Sequence, residues 1–377
     1  MKTLLLALFG LLVLLGLTAF FALRHPVFGA SPQASDRMRF AASAQYNTSE
    51  QAFENRLPER VASMRENSSL IRMLKEFLAD RAHGSPAKPL PENQPDLARF
   101  LAQDKNAQAI WFGHSTFLLN IAGTVVLVDP VFSASAAPVN FIAPRFQPPV
   151  LSLENLPPVD VILISHDHYD HLDRATVAFF TKTSARFVAP LGVGSHLQRW
   201  GIDARRIIER DWWETTSVGK VDFTATPAQH FSGRNGLDTN ATLWASWVIA
   251  NGDTRLFFSG DSGYDTHFAE IGARLGPFDM AFLENGQYDE KWRAVHLLPE
   301  ETAQAFEDLN AERLLPIHWG MFELAFHTWF DPIVAIASLA DRHQIELVTP
   351  LIGEVFSLDA SHDTERWWED LLPGTGN

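Results

Sequence analysis

The sequence predicts an α+β fold in which two β-sheets are sandwiched between helices, preceded by a helical extension and an apolar N-terminal segment. Three observations carry that expectation. From Ala109 onward the chain is a succession of short runs rich in β-branched and aromatic residues, helical spacing separates several of the later runs, and the run Val159–Ile164 opens directly onto histidines and aspartates. With 377 residues, 46% of them hydrophobic and 20% charged, the chain can bury a sizeable core and is not disordered or of low complexity.

Thr3 to Leu23 is free of charge, and a helix of that length, at about 1.5 Å per residue, reaches roughly the 30 Å of a bilayer's hydrocarbon core. No Ala-x-Ala site follows Leu23 until Ala42-Ser43-Ala44, so residues 1–25 read as an uncleaved membrane anchor, with a cleaved signal as the alternative. Lys2 on one side faces Arg24, Arg37 and Arg39 on the other. The charge bias is therefore small, and a catalytic domain on the exported side is the preferred orientation.

Residues 26–48, with Pro26, Pro32 and several Ser and Ala, read as a tether. The domain is expected over 49–377, beginning with a helical extension at 49–108. Glu50–Glu66 and Ser69–Arg81 carry apolar residues at helical spacing, and four prolines between Gly84 and Pro95 end the pattern. Strands are expected at Ala109–Phe112, Thr116–Ile121, Val125–Asp129, Val159–Ser165, Arg186–Ala189, Val221–Thr226, Leu243–Ile249, Arg255–Ser259, Met280–Glu284, Leu314–Ile317 and Glu346–Thr349. Helices are expected at Arg174–Thr181, Pro299–Leu309 and Pro332–His343.

A formal net charge of −15 with no run of Lys or Arg leaves no phosphate-neutralising surface, which excludes nucleic acid as a partner. The chain has no cysteine, so thiolate nucleophiles and Cys-ligated zinc are excluded. Any metal must be held by histidine and carboxylate.

The segment Ser165-His166-Asp167-His168-Tyr169-Asp170-His171 supplies both. On extended backbone His166 and His168 point to one side, because side chains alternate with period 2. A turn toward the following helix then carries Asp170 and His171 to a second position, a spacing that suits two adjacent cations. A hydrogen-bonded surface cluster is the alternative reading, but such a density of ligand-type residues directly after an apolar strand favours metal. Asp129, before Pro130 at a strand end, reads as an acceptor that fixes a ligating imidazole, or else as a turn cap. His114 fits a pocket or a structural role equally. Asp173 and Tyr264 read as loop-orienting residues, and the tryptophans Trp212, Trp213, Trp244, Trp247, Trp319 and Trp329 mainly as core.

His166-x-His168-x-Asp170-His171 resembles the signature of the metallo-β-lactamase superfamily. The words Trp111-Phe-Gly-His-Ser-Thr116, Thr226-Pro-Ala-Gln-His230, Gly260-Asp-Ser-Gly-Tyr264 and Ile317-His-Trp-Gly320 resemble its N-acyl-phosphatidylethanolamine-hydrolysing phospholipase D branch and the wider ascorbate-6-phosphate-lactonase-like branch. The resemblance runs from about Tyr46 to Leu358. It implies a four-layer αββα sandwich and two zinc ions, the first on His166, His168 and His230, the second on Asp170, His171 and His318, with Asp261 bridging both. His296 resembles a histidine near the catalytic centre of those phospholipases, with a plain loop histidine as the alternative. Two such ions would lower the pKa of a shared water from about 15.7 to about 7, making a bridging hydroxide available as nucleophile. The implied substrate is a phospholipid phosphodiester at a membrane. The alternatives are a lactonase or other cyclic ester or amide hydrolase, and a membrane-tethered protein whose metal is structural.

Overall fold

The computed structural model describes residues 9, 24–67, 83–102, 107–252, 254–358 and 365–374. The expected helix at Ser69–Arg81 lies outside them, as does the apolar stretch Thr3–Leu23 apart from Phe9. Among the described residues no helix is long and apolar enough to cross a membrane.

The stretch expected to be a tether is built into the domain. A 3₁₀ turn at Pro26–Phe28 leads to α1 (Ala34–Phe40), and β1 (Tyr46–Asn47) pairs antiparallel with β2 (Ala52–Phe53). The rings of Phe40, Tyr46 and Phe53 are buried against one another, with centroids 5.0–5.6 Å apart. This aromatic knot also explains why the helix expected from Glu50 begins only at Pro58: α2 runs Pro58–Asn67, with its proline at the first turn, where no N–H is needed. A short α3 (Leu97–Leu101) follows, capped by the Asp96 carboxylate on Arg99 N–H.

The first large sheet contains β3 (Gln108–Trp111), β4 (Phe117–Ile121), β5 (Thr124–Val128), β6 (Val161–Leu163), β7 (Arg186–Pro190) and β8 (Ile207–Arg210) in sequential order, with β16 (Val355–Ser357) on the edge beside β3. The second contains β9 (Thr215–Val218), β10 (Val221–Thr226), β11 (Ser246–Asn251), β12 (Thr254–Phe258), β13 (Met280–Glu284), β14 (Arg313–Ile317) and β15 (Glu346–Leu347), also in sequential order. Each half starts as an antiparallel meander and turns parallel, from β5 in the first sheet and from β12 in the second. Strands covered on both faces need continuous apolar runs. β4, β5, β13 and β14 are accordingly buried at every position.

Aromatic contacts join the sheets: the Phe117 ring of β4 stacks on Phe282 of β13 at 4.5 Å and meets Phe258 of β12 edge-on at 5.3 Å. Further helices are α4 (Arg174–Phe180), α5 (Val193–Arg199), α6 (His267–Leu275), α7 (Pro299–Leu309) and α8 (Asp331–His343). α5 packs on β7 and β8, while α7 packs on β13 with α6 and α8 beside it. The expected αββα layering is thus observed. Asp173 caps α4 through Ala175 and Thr176 N–H, and the same carboxylate accepts from Ser133 Oγ at 2.8 Å, tying two loops together. Tyr264 OH bonds Asp308 at 2.7 Å. Trp212, Trp244, Trp247, Trp319 and Trp329 are buried, whereas Trp213 is half-buried.

β8, β9 and β16 and the helices α1, α3, α5 and α6 were not expected from the sequence. Ile207–Arg210 and Thr215–Val218 are short, and the polar residues among them hide the alternation. The expected strand from Leu243 begins at Ser246, because Leu243 and Ala245 instead bond to Leu191 and Ser165 carbonyls in the other sheet's loops.

Candidate metal centre

The ends of β5, β6, β10, β12, β13 and β14 come together on one rim, and each contributes a polar residue there. After β6 the chain sets His166 Nε2 2.9 Å from His168 Nδ1, and His230, beyond β10, places Nε2 3.2 Å from that same Nδ1. Asp261, beyond β12, closes this group with Oδ2 3.8 Å from His166 and 3.7 Å from His230. The second group lies next to the first. Asp170 Oδ2 is 3.3 Å from both His171 Nε2 and His318 Nε2, and Asp261 offers Oδ1 to His171 at 3.2 Å and Oδ2 to His318 at 3.3 Å. All seven expected ligands therefore converge, and Asp261 belongs to both groups.

The donor set fits divalent cations held by nitrogen and oxygen. His171 Nε2 and Asp261 Oδ1 are buried side by side, yet neither has a hydrogen-bond partner among the described residues. Buried polar atoms are seldom left so. A cation between them would satisfy both.

The opposite ring nitrogens explain why lone pairs face inward. His171 Nδ1 donates to Asp129 Oδ2 at 2.7 Å, and His230 Nδ1 donates to the Val295 carbonyl at 3.0 Å. His166 Nδ1 donates to Ser165 Oγ at 2.9 Å, and that hydroxyl donates onward to Asp129 Oδ2. Asp129 thus fixes one imidazole of each group, directly and through Ser165, leaving Nε2 free to ligate. His114, Asp129 and His318 all sit at positive φ, +54°, +37° and +68°. That conformation is costly for residues other than glycine and concentrates where function holds it in place.

Charge in the two groups differs. In the first, burial holds the His166 and His230 imidazoles well below their ordinary range. In the second, burial is outweighed by the Asp261 and Asp170 carboxylates, which hold His171 well above that range, and by Asp261 with Asp170 and Glu284, which push His318 up to about 10. Burial opposes ionisation of Asp170 and Asp261, but the neighbouring imidazolium of His171 keeps both carboxyls well below the usual carboxylate range. Protons on two histidines supply the positive charge the carboxylates demand, and a metal would displace them.

A family model for the beta-lactamase superfamily domain matches residues 124–319, the span from β5 to the tryptophan after His318. The chain belongs to the metallo-β-lactamase superfamily. It is a metal-dependent hydrolase of that superfamily. An uncharacterised protein of Mycobacterium tuberculosis is 40% identical over 324 residues, covering 84% of this chain and 86% of the relative. An N-acyl-phosphatidylethanolamine-hydrolyzing phospholipase D of Caenorhabditis elegans is 32% identical over 330 residues, covering 81% of this chain and 92% of the relative. The isothiocyanate hydrolase from Delia radicum gut bacteria superposes with a TM-score of 0.52 at 18% identity, over 67% of this chain and 100% of that one, a likeness of fold.

Around this metallo-β-lactamase-type rim stand residues that sequence reasoning placed less well. His296 is beside the groups: its ring stacks on His318 at 5.5 Å and lies 5.1 Å from His230. His114 is buried and brings Nε2 within 3.0 Å of Asp170, and burial with the neighbouring His318 lowers its pKa to about 3. It therefore stays neutral beside the second group. Glu284 was not foreseen as a site residue. It ends β13, almost fully buried, with Oε2 2.8 Å from His296 Nδ1 and 3.3 Å from His318 Nδ1. An acidic residue closing an otherwise apolar strand was the available signal, the same one that pointed to Asp129.

Proposed function

We propose that this hydrolase is a dinuclear zinc phosphodiesterase acting on N-acyl-phosphatidylethanolamine-like phospholipids, the chain being held at the membrane by its apolar N-terminal segment. The observation that carries the two-metal part is the Asp261 carboxylate, which faces His166 and His230 with one oxygen and His171 with the other. A single structural ion would use only half of these ligands. Support for the substrate comes from the phospholipase D of Caenorhabditis elegans, matched over nearly its whole length.

In this reading His166, His168, His230 and Asp261 would hold one ion and Asp170, His171, His318 and Asp261 the other. Two such ions would supply Lewis acidity toward the phosphoryl oxygens and an activated water. The chain's own residues do the positioning. Asp129 keeps protons on the outward nitrogens of His166 and His171. Glu284 holds His296 by Nδ1, which leaves His296 Nε2 to meet the leaving oxygen. The water oxygen forms the new bond to phosphorus, the bond to the N-acylethanolamine oxygen breaks, and that oxygen departs protonated, leaving phosphatidate.

The test is turnover of N-acyl-phosphatidylethanolamine in detergent micelles beside a simple lactone and a β-lactam, each with and without chelator. Chelator-sensitive release of phosphatidate is expected. Chelator-sensitive turnover of the lactone alone would move the activity to a cyclic-ester hydrolase.

A further inference from the structure

The segment that enters the domain is bonded to side chains that in turn hold the loop carrying the candidate ligands. Trp200 Nε1 donates to the Pro26 carbonyl at 2.6 Å, Arg234 Nη2 to the Val27 carbonyl at 3.0 Å, and the Ala30 N–H to His196 Nδ1 at 3.0 Å. Two of these side chains reach on to the ligand loop.

Arg234 stands four residues beyond His230 and is buried. Its Nη1 donates to the Asp167 carbonyl at 2.5 Å and the Leu172 carbonyl at 2.9 Å, bracketing the stretch that carries His168, Asp170 and His171. Its guanidinium lies 3.9 Å over the Tyr169 ring in the middle of that stretch and 5.1 Å from Trp200. Buried cations seldom stand without carbonyl or aromatic partners, and among the described residues the hydrogen-bond and ring partners of this guanidinium belong to the ligand loop, the entering segment or Trp200.

His196 makes the second link. Because its Nδ1 accepts the Ala30 N–H, the neutral ring carries its proton on Nε2, which faces Asp167 Oδ2 at 3.2 Å. Asp167 lies between the ligands His166 and His168, and Gly233 N–H and Thr242 Oγ complete its carboxylate. The entering segment thus sets the His196 tautomer, and that tautomer holds the Asp167 carboxylate between two ligands.

We propose that residues 26–30 are a strap that positions the metal-binding loop through Arg234 and His196, so that this entering segment and the metal site form one mechanical unit. The proposal rests on the metal-binding reading above. The fit at the crossing is tight: Gly29 has φ +72°, and a Cβ there would lie 2.0 Å from His196 Nδ1.

The test is zinc affinity of the full-length chain, measured by competition with a chromophoric chelator, together with the melting temperature of the metal-free protein. Gly29→Ala should lift the strap without touching a ligand, and Arg234→Met should remove the bracket. Gly219→Ala is the control: it crowds Thr124 at the far end of β5, where a Cβ would lie 2.6 Å from Oγ1. Gly29→Ala and Arg234→Met should bind zinc about 10–100-fold more weakly, the usual effect of removing partners of ligands, while Gly219→Ala binds like the parent. Parent-like affinity in Gly29→Ala would overturn the strap even if Arg234→Met failed to fold. So would an equal loss in Gly219→Ala. A parent chain that takes up no zinc would instead defeat the metal-binding reading itself.

Discussion

Asp129 receives the Nδ1–H of His171 at 2.7 Å from a fully buried position at the end of β5. The same Oδ2 takes the hydroxyl of Ser165, which in turn holds His166, so one carboxylate orients an imidazole in each ligand group. Asp129→Asn keeps the shape but gives up the charge and one acceptor. Affinity for both ions should fall about 10–100-fold. A zinc titration in competition with chelator reads this, and unchanged affinity would remove Asp129 from its orienting role.

In the metal-free protein, protonated His171 and His318 stand in for metal charge. His318 is raised from an unfolded value near 6.5 to about 10. A raised imidazole stabilises the fold fully below pH 6.5, and that contribution is lost as pH climbs toward about 10. The melting temperature of chelator-stripped protein should therefore fall across this window. Zinc-loaded protein, whose imidazoles are already neutral, should show a shallower change. Zinc affinity should rise over the same window as competing protons leave. Parallel curves for the two forms would refute the exchange of protons for metal.

His296 is held by Glu284 through Nδ1 and stands close to Asp261 and His318, but it is not one of the seven residues assigned above to the two ions. His296→Ala should keep the full metal content and lower turnover by about 10²–10⁴, the usual span for a lost general acid. Elemental analysis alongside single-turnover rates separates the two effects. Metal loss in this variant would make His296 a ligand.

Much of this was legible in the sequence, and unevenly. The apolar runs of β4, β5, β13 and β14 are buried on both faces, so composition alone marks them as strands. The candidate ligands stand out because histidines and aspartates gather at or just beyond strand ends. Glu284 was hidden because it counts as the last strand residue, and only the fold shows that it faces His296 across a loop. Pro26–Ala30 read as a tether because prolines and small residues carry no periodicity, whereas what fixes them are hydrogen bonds to residues some 166 to 207 positions away. Such partners leave no trace in local pattern.

The two sheets meet at Phe117, which stacks on Phe282 and touches Phe258. Phe117→Ala should destabilise the protein by about 3–5 kcal/mol through lost burial and the cavity left behind. Denaturant unfolding of the metal-loaded protein measures it. A loss below about 1 kcal/mol would show that the sheets repack without this ring.

The most direct measurement is metal stoichiometry of the purified chain after zinc reconstitution, with His168→Ala and Asp261→Asn beside it. About two ions per chain are expected in the parent, about one in His168→Ala, and weakened retention of both in Asp261→Asn, since Asp261 serves both groups. A parent that stays near zero after reconstitution, or an Asp261→Asn variant that holds two ions as tightly as the parent, would contradict the shared two-metal site.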